Sequence, residues 1–188
     1  MLTPEQLERK ITAIFGTPWG KLTDRESKLK ILYGGIDSKT VTERSTDPSG
    51  AMGAIQRILS NDVACAHVAT DFSLPSQQRR LFPGIEPTVV PGSSKEADER
   101  ILAAIVHLHE LILGRFPNVD DPDVQRTFSL FAGIVKEAKS RKGIDPRESY
   151  HCQSGREKTP RDPDPHYTIR AWRGVVTYLL RQYDFLYE

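Results

Sequence analysis

The sequence predicts an all-α fold, an irregular bundle of five to six helices joined by long proline-rich loops. Apolar residues recur mostly at spacings of three and four, the period of a helix with one buried face. Period-two alternation is confined to short runs such as "TVT". The helical runs also begin and end on capping residues, Ser, Thr or Asp in front and Gly behind.

The first element starts at Thr3. Pro4 is preorganised for the first helical position and Gln6 is placed to reach back to the cap, so Leu7, Ile11, Ile14 and Phe15 line one face until Gly16. A short second helix is expected from Thr23 through Leu29 and Leu32, closed by Gly34 and Gly35. Asp47-Pro48-Ser49 then opens a long segment with Met52, Ile55, Ile58, Leu59, Val63 and Ala66 in register. Prolines punctuate "DFSLPSQQRRLFPG" and "IEPTVVPGSS", which read as irregular, with one helical turn near Gln77 to Leu81. Ser94 caps the clearest helix, with a stripe of Ile101, Leu102, Ile105, Leu108 and Ile112 ending at Gly114. Asp121-Pro122 starts another, with Val124, Phe128, Phe131, Val135 and Ala138 inward and Gly143 as its stop. Residues 144–165 are polar and proline-rich and read as a long loop. A last helix carries Tyr167, Ala171, Val175, Tyr178 and Leu179.

At 188 residues the chain is the size of one domain, able to bury a core without metal or disulfide support. Its 26 basic and 25 acidic residues leave a net charge of +1, which offers no electrostatic footprint for nucleic acid or an anionic membrane. The basic run "KEAKSRKG" sits at a predicted helix C-terminus, where cations complement the helix dipole. No apolar run is long enough to span a membrane. The charged, amphipathic N-terminus lacks the apolar segment of a signal peptide, which taken alone implies a cytoplasmic chain.

Chemical motifs are sparse. "ILYGGIDSKTVTER" looks like a phosphate-binding loop, but aligning Lys39-Thr40 with that pattern puts Tyr33 and Ser38 where bare glycines are required. The glycine pair is better explained as the left-handed end of a short helix. His107 and His109 lie two apart on a helix and point roughly 200° apart, so they cannot chelate together. Cys65 with His67, and His151 with Cys152, lack metal-ligand spacing, and a buried cysteine with scattered solvated histidines accounts for them. There is no nucleophile elbow and no Cys-x-x-Cys-His haem signature, and no cofactor is predicted. The aromatic and arginine residues of "HYTIRAWRGVVTYLLRQYDFLYE" fit a core helix better than a base-stacking surface.

Three stretches, "LYGGIDSKTVTER", "ACAHVATDFSLPSQQRRLFPGIEPT" and the closing "HYTIRAWRGVVTYLLRQYDFLYE", carry a resemblance. So does "IVHLHELILG" followed by "DDPDVQRTFSLF". The chain resembles, over about Leu7 to Glu188, the C-terminal region of large cytochrome-c-associated proteins of planctomycetes and related bacteria, a family without an established reaction. The resemblance implies a C-terminal domain of a longer exported polypeptide, hence a periplasmic or extracellular location. Its partners would be other domains or subunits of the same exported system, with any haem-binding segment lying elsewhere.

Two functional classes stay open. One is a helical interaction or scaffold domain without catalytic activity. The other is an enzymatic or ligand-binding domain, linked to a redox system, with a site near the turn at Tyr33 to Ser38. In that turn Asp37 is expected either to cap the following turn or to hold an arginine, Arg44 being nearest and Arg80 and Arg170 the alternatives from distant segments. Cys65, on a core helix, and Cys152, in the longest loop, either form a disulfide, which an exported protein would retain, or remain one buried and one exposed thiol.

Overall fold

The computed structural model describes residues 1–24, 28–37, 39–45, 47–142, 149–154, 157–158 and 162–187. The fold is all-α, with seven helices among the described residues: α1 (Pro4–Phe15), α2 (Leu29–Leu32), α3 (Gly50–Phe72), α4 (Lys95–Leu113), α5 (Pro122–Lys142), α6 (Thr168–Leu179) and α7 (Tyr183–Tyr187). Two helices are one turn or little more, which is why the sequence suggested five or six. The described strands form two antiparallel ribbons, β1 (Ser149–Tyr150) with β4 (Asp162–Pro163) and β2 (Gln153–Ser154) with β3 (Glu157–Lys158).

Helix starts follow the capping chemistry. Thr3 and Gln6 exchange bonds of 3.2 Å and 2.9 Å in a capping box. Ser49 and Ser94 accept from Met52 and Ala97 at the heads of α3 and α4. Gly16 and Gly114 close α1 and α4 in the left-handed conformation. The expected second helix is shorter than the sequence suggested, because residues 21–23 form a turn and residues 25–27 fall outside the described set. Gly143, the expected stop of α5, also lies outside it.

Helix α6 is the centre of the bundle and packs most extensively against α3 and α5. Ile169, Ala171, Trp172, Val175, Val176 and Leu179 are all buried, so this helix is apolar around most of its girth. Trp172 lies between Phe82 at 5.1 Å and Phe131 at 4.3 Å, and Phe82 stacks on Phe72 at 4.4 Å. The aromatic cluster thus joins α3, α5, α6 and the loop after α3 in one core.

Buried carboxylates pin the loops onto this core. Glu8 on α1 accepts from the backbone N–H of Gly20 and Leu22, both at 3.0 Å. Asp71 on α3 takes the amides of Arg80, Leu81 and Phe82 at 2.8–3.3 Å. Asp164 does the same for Ile169 at the start of α6. Each satisfies loop donors that would otherwise be buried unpaired.

The glycine pair makes a tight corner. Gly34 has φ +85°, its carbonyl accepts from Ser45, and an added Cβ would collide with the Ser45 carbonyl and come within 2.6 Å of Met52 Cε. We expect Gly34→Ala to cost about 3 kcal/mol, from left-handed strain and overpacking together. Urea denaturation would measure it, and a cost below about 1 kcal/mol would mean the corner relaxes freely.

Candidate functional site

The residues singled out around the glycine turn do not converge. Tyr33 is buried, its hydroxyl accepting from Gln56 Nε2 at 3.3 Å, and burial pushes the phenol above its ordinary pKa. Asp37 takes the first of its two expected roles and caps a turn. The Thr40 hydroxyl, at 2.6 Å, and the amides of Lys39, Thr40 and Val41, each at 2.9 Å, hold its carboxyl well below the usual carboxylate range. Those amides are the donors a phosphate would need, and they are already taken. None of the three arginines pairs with Asp37. Arg44 meets Glu5 at 3.4 Å, Arg80 donates to the Ala13 carbonyl, and Arg170 holds Asp164 at 2.8 Å. Ser38 lies outside the described residues.

Arg170 instead organises the other end of the molecule. Its Nη1 donates to Asp164 and its Nη2 to the Ser149 carbonyl at 2.9 Å, while the guanidinium lies over the rings of Tyr167 at 4.8 Å and Tyr150 at 5.8 Å. Ser149 and Tyr150 belong to β1, two residues before Cys152. That cysteine is buried and bonded to Cys65 on α3, with the Cα atoms 5.4 Å apart. The long polar segment is thereby stitched to the core at the disulfide and at Arg170, while the β1–β4 ribbon ties its two ends to each other.

Next to Arg170 a groove runs along α5. Its cavity volume is about 940 Å³, and its floor is Leu130, Ile134 and Ala138, successive residues four apart. Ser129 and Gly133 form a low shoulder; Glu137 and Arg141, paired at 2.9 Å, sit at one end, and Tyr167 and Arg170 at the wall formed by the start of α6. The stripe from Ser129 to Arg141 is about 18 Å long at the helical rise. An added Cβ at Gly133 would meet nothing within 4 Å. The sequence reading of α5 missed this face, although a signal was present. Val124, Phe131 and Val135 fill the core, while Leu130 and the partly buried Ile134, which packs against the core's edge, make a second apolar stripe beside them.

The histidines also depart from the expectation of scattered solvated rings. His109 is buried, its Nε2 lying 3.1 Å from the Thr127 hydroxyl, and burial lowers its pKa. Because the Thr127 hydroxyl already donates to the Asp123 carbonyl, Nε2 carries the proton toward it. His67 is packed on Phe15 at 4.8 Å and burial lowers its pKa to about 4. A histidine with a depressed folded pKa stabilises the fold fully above its unfolded pKa near 6.5, and that contribution is lost as pH falls toward 4. Allowing for the ring's partial exposure, the loss is about 2 kcal/mol. His67→Phe, which keeps the ring packing, should flatten the pH profile of the melting temperature between these limits; an unchanged slope would contradict the assignment.

Among the described residues, no group of three or more His, Cys, Asp or Glu side chains is placed to hold a metal ion. No helix among them is long and apolar enough to cross a membrane. No protein-family model, curated protein or solved structure matches the chain.

Proposed function

We propose that this chain is a docking domain without catalytic activity, and that the groove between α5 and the start of α6 receives an apolar helix of a neighbouring domain or subunit. The observation that carries the reading is the groove itself. Its floor repeats at the helical i, i+4 spacing for about three turns, and small residues at Ser129 and Gly133 allow close approach of a second helix. Charged side chains stand at its end and wall, where they orient a partner without interrupting the apolar contact. The disulfide suits an oxidising compartment. The sequence resemblance supports the same setting, with the partner helix belonging to the same exported bacterial system.

A second reading is favoured by the groove's size. A volume near 940 Å³ falls within the range of small-molecule sites, and Tyr167 and Arg170 are placed to orient an amphipathic ligand.

Gly133→Trp separates docking from a bystander groove. The position is open and helical, so the substitution should leave the melting temperature within about 2 °C or raise it, since glycine is a poor helix former. In the native host the wild-type domain should migrate within an assembly larger than the 21.2 kDa chain, and Gly133→Trp should release it. Wild-type migration as a free chain, or migration unaffected by the tryptophan, would overturn the proposal.

A further inference from the structure

We infer that a recess between α1, α3 and the loop at residues 74–81 is a binding site for a small carboxylate, with Arg80, Gln78 and His67 as its recognition groups. The recess has a volume of about 130 Å³ and lies away from the α5 groove, on elements the docking proposal does not use. Three segments converge on it: the end of α1 with Phe15, the last turns of α3 with His67, Thr70 and Asp71, and the loop with Gln78 and Arg80.

The backbone that carries Arg80 is fixed in place. Asp71 anchors the loop by accepting the Arg80 amide at 2.8 Å, and His107 Nε2 contacts the Arg80 carbonyl at 2.9 Å from the other side. Among the described residues one guanidinium nitrogen of Arg80 is engaged, by the Ala13 carbonyl, which leaves further N–H groups to donate at the recess that the side chain lines. Neither ring nitrogen of His67 meets a hydrogen-bonding partner among the described residues, and its face is covered by Phe15. Neutral at pH 7, that ring offers one N–H and one lone pair. The Thr70 hydroxyl already donates to the Ala66 carbonyl and is left as an acceptor.

The arrangement selects charge and size. A guanidinium, an amide N–H and an imidazole N–H beside apolar Phe15 and Leu81 match an anionic head on a short carbon stub. Asp71 also borders the recess. Its oxygens are occupied by the amides of Arg80, Leu81 and Phe82, but its charge disfavours a second full negative charge, so a monoanionic carboxylate is preferred over phosphate. The volume admits a carboxylate with one or two carbons, whether a free acid or the terminus of a polypeptide.

Titration of the whole protein at constant ionic strength, read from the His67 ring signals by NMR, tests the site. Acetate should give a saturable shift, while acetamide, its neutral isostere, should give none. A short peptide with a free C-terminus, compared with its amidated form, distinguishes the two carboxylate sources; binding of either acetate or the free peptide supports the site. Arg80→Gln should weaken the response at least tenfold with the melting temperature little changed. Gln78→Glu, which adds a negative charge at an exposed position, should weaken it similarly if Arg80→Gln perturbs the loop. No saturable shift with either carboxylate, an equal response to acetamide, or undiminished binding in both variants would overturn the inference.

Discussion

Asp164→Ala is expected to lower stability by about 3–5 kcal/mol, the range for breaking a buried charge pair from one side. Asp164 is fully buried, and its carboxylate bonds the Ile169 amide at 3.0 Å and Arg170 Nη1 at 2.8 Å. It also serves as the cap that α6 otherwise lacks, because Tyr167 sits at the N-cap in a left-handed conformation with no side-chain bond to the helix. Truncation would leave the amide unpaired and take the Asp164 carboxylate away from the Arg170 guanidinium. For a chain of this size the loss corresponds to a fall in melting temperature of roughly 6–20 °C. Burial, outweighing the bonds from Ile169 and Arg170, raises the Asp164 pKa, so the charge itself is held at a cost. Asp164→Asn, which keeps an acceptor and removes the charge, should therefore be the milder variant. Equal losses for Asn and Ala would place the effect in the charge rather than in the cap.

Removing the disulfide should cost a comparable amount. Cys65 and Cys152 are 87 residues apart in sequence, and a loop of that length restricts the unfolded chain by roughly 4 kcal/mol. The double serine variant should show that loss in chemical denaturation. Its damage should be greatest in the segment from β1 to β4, which the bridge stitches to α3, and should be visible as faster amide exchange at Tyr150 and Cys152. Protein isolated under non-reducing conditions and then denatured should contain no free thiol. Two free thiols would place the chain in a reducing environment and remove one of the supports for an exported domain.

Much of the bundle is legible in sequence because its long helices carry strong local signals. Thr3 with Gln6, Ser49, Ser94 and the glycines at 16 and 114 mark ends by short-range hydrogen bonding that needs no tertiary partner. The candidate site is hardly legible, because its residues acquire their roles from distant segments. Asp164 in a run of prolines and charges gives no hint that it caps α6, since the cap depends on the left-handed Tyr167 between them. Arg170 looks like a surface residue of an amphipathic helix until Ser149 and Tyr150 are folded against it. Charge alone groups Asp37 with Arg44, Arg80 and Arg170, but Asp37 is satisfied by its own turn, Arg44 and Arg80 reach back to Glu5 and the Ala13 carbonyl on α1, and Arg170 binds Asp164. His109 lies on the inner face of α4 within a stripe of Ile105, Leu108 and Ile112, so burial was implied by position while its polarity suggested solvent.

The docking proposal is tested most directly by a photo-crosslinking amino acid at Gly133, on the shoulder of the groove, introduced into the protein in its native host. The account predicts one dominant crosslink, to a single apolar helical segment of a neighbouring domain or subunit, lost when Ile134 on the groove floor is replaced by aspartate in a chain that still folds. A control crosslinker at exposed Lys95 on α4 should not produce it. Crosslinks at Gly133 no more specific than those at Lys95, or only to small molecules, would contradict the claim that this face receives a partner helix.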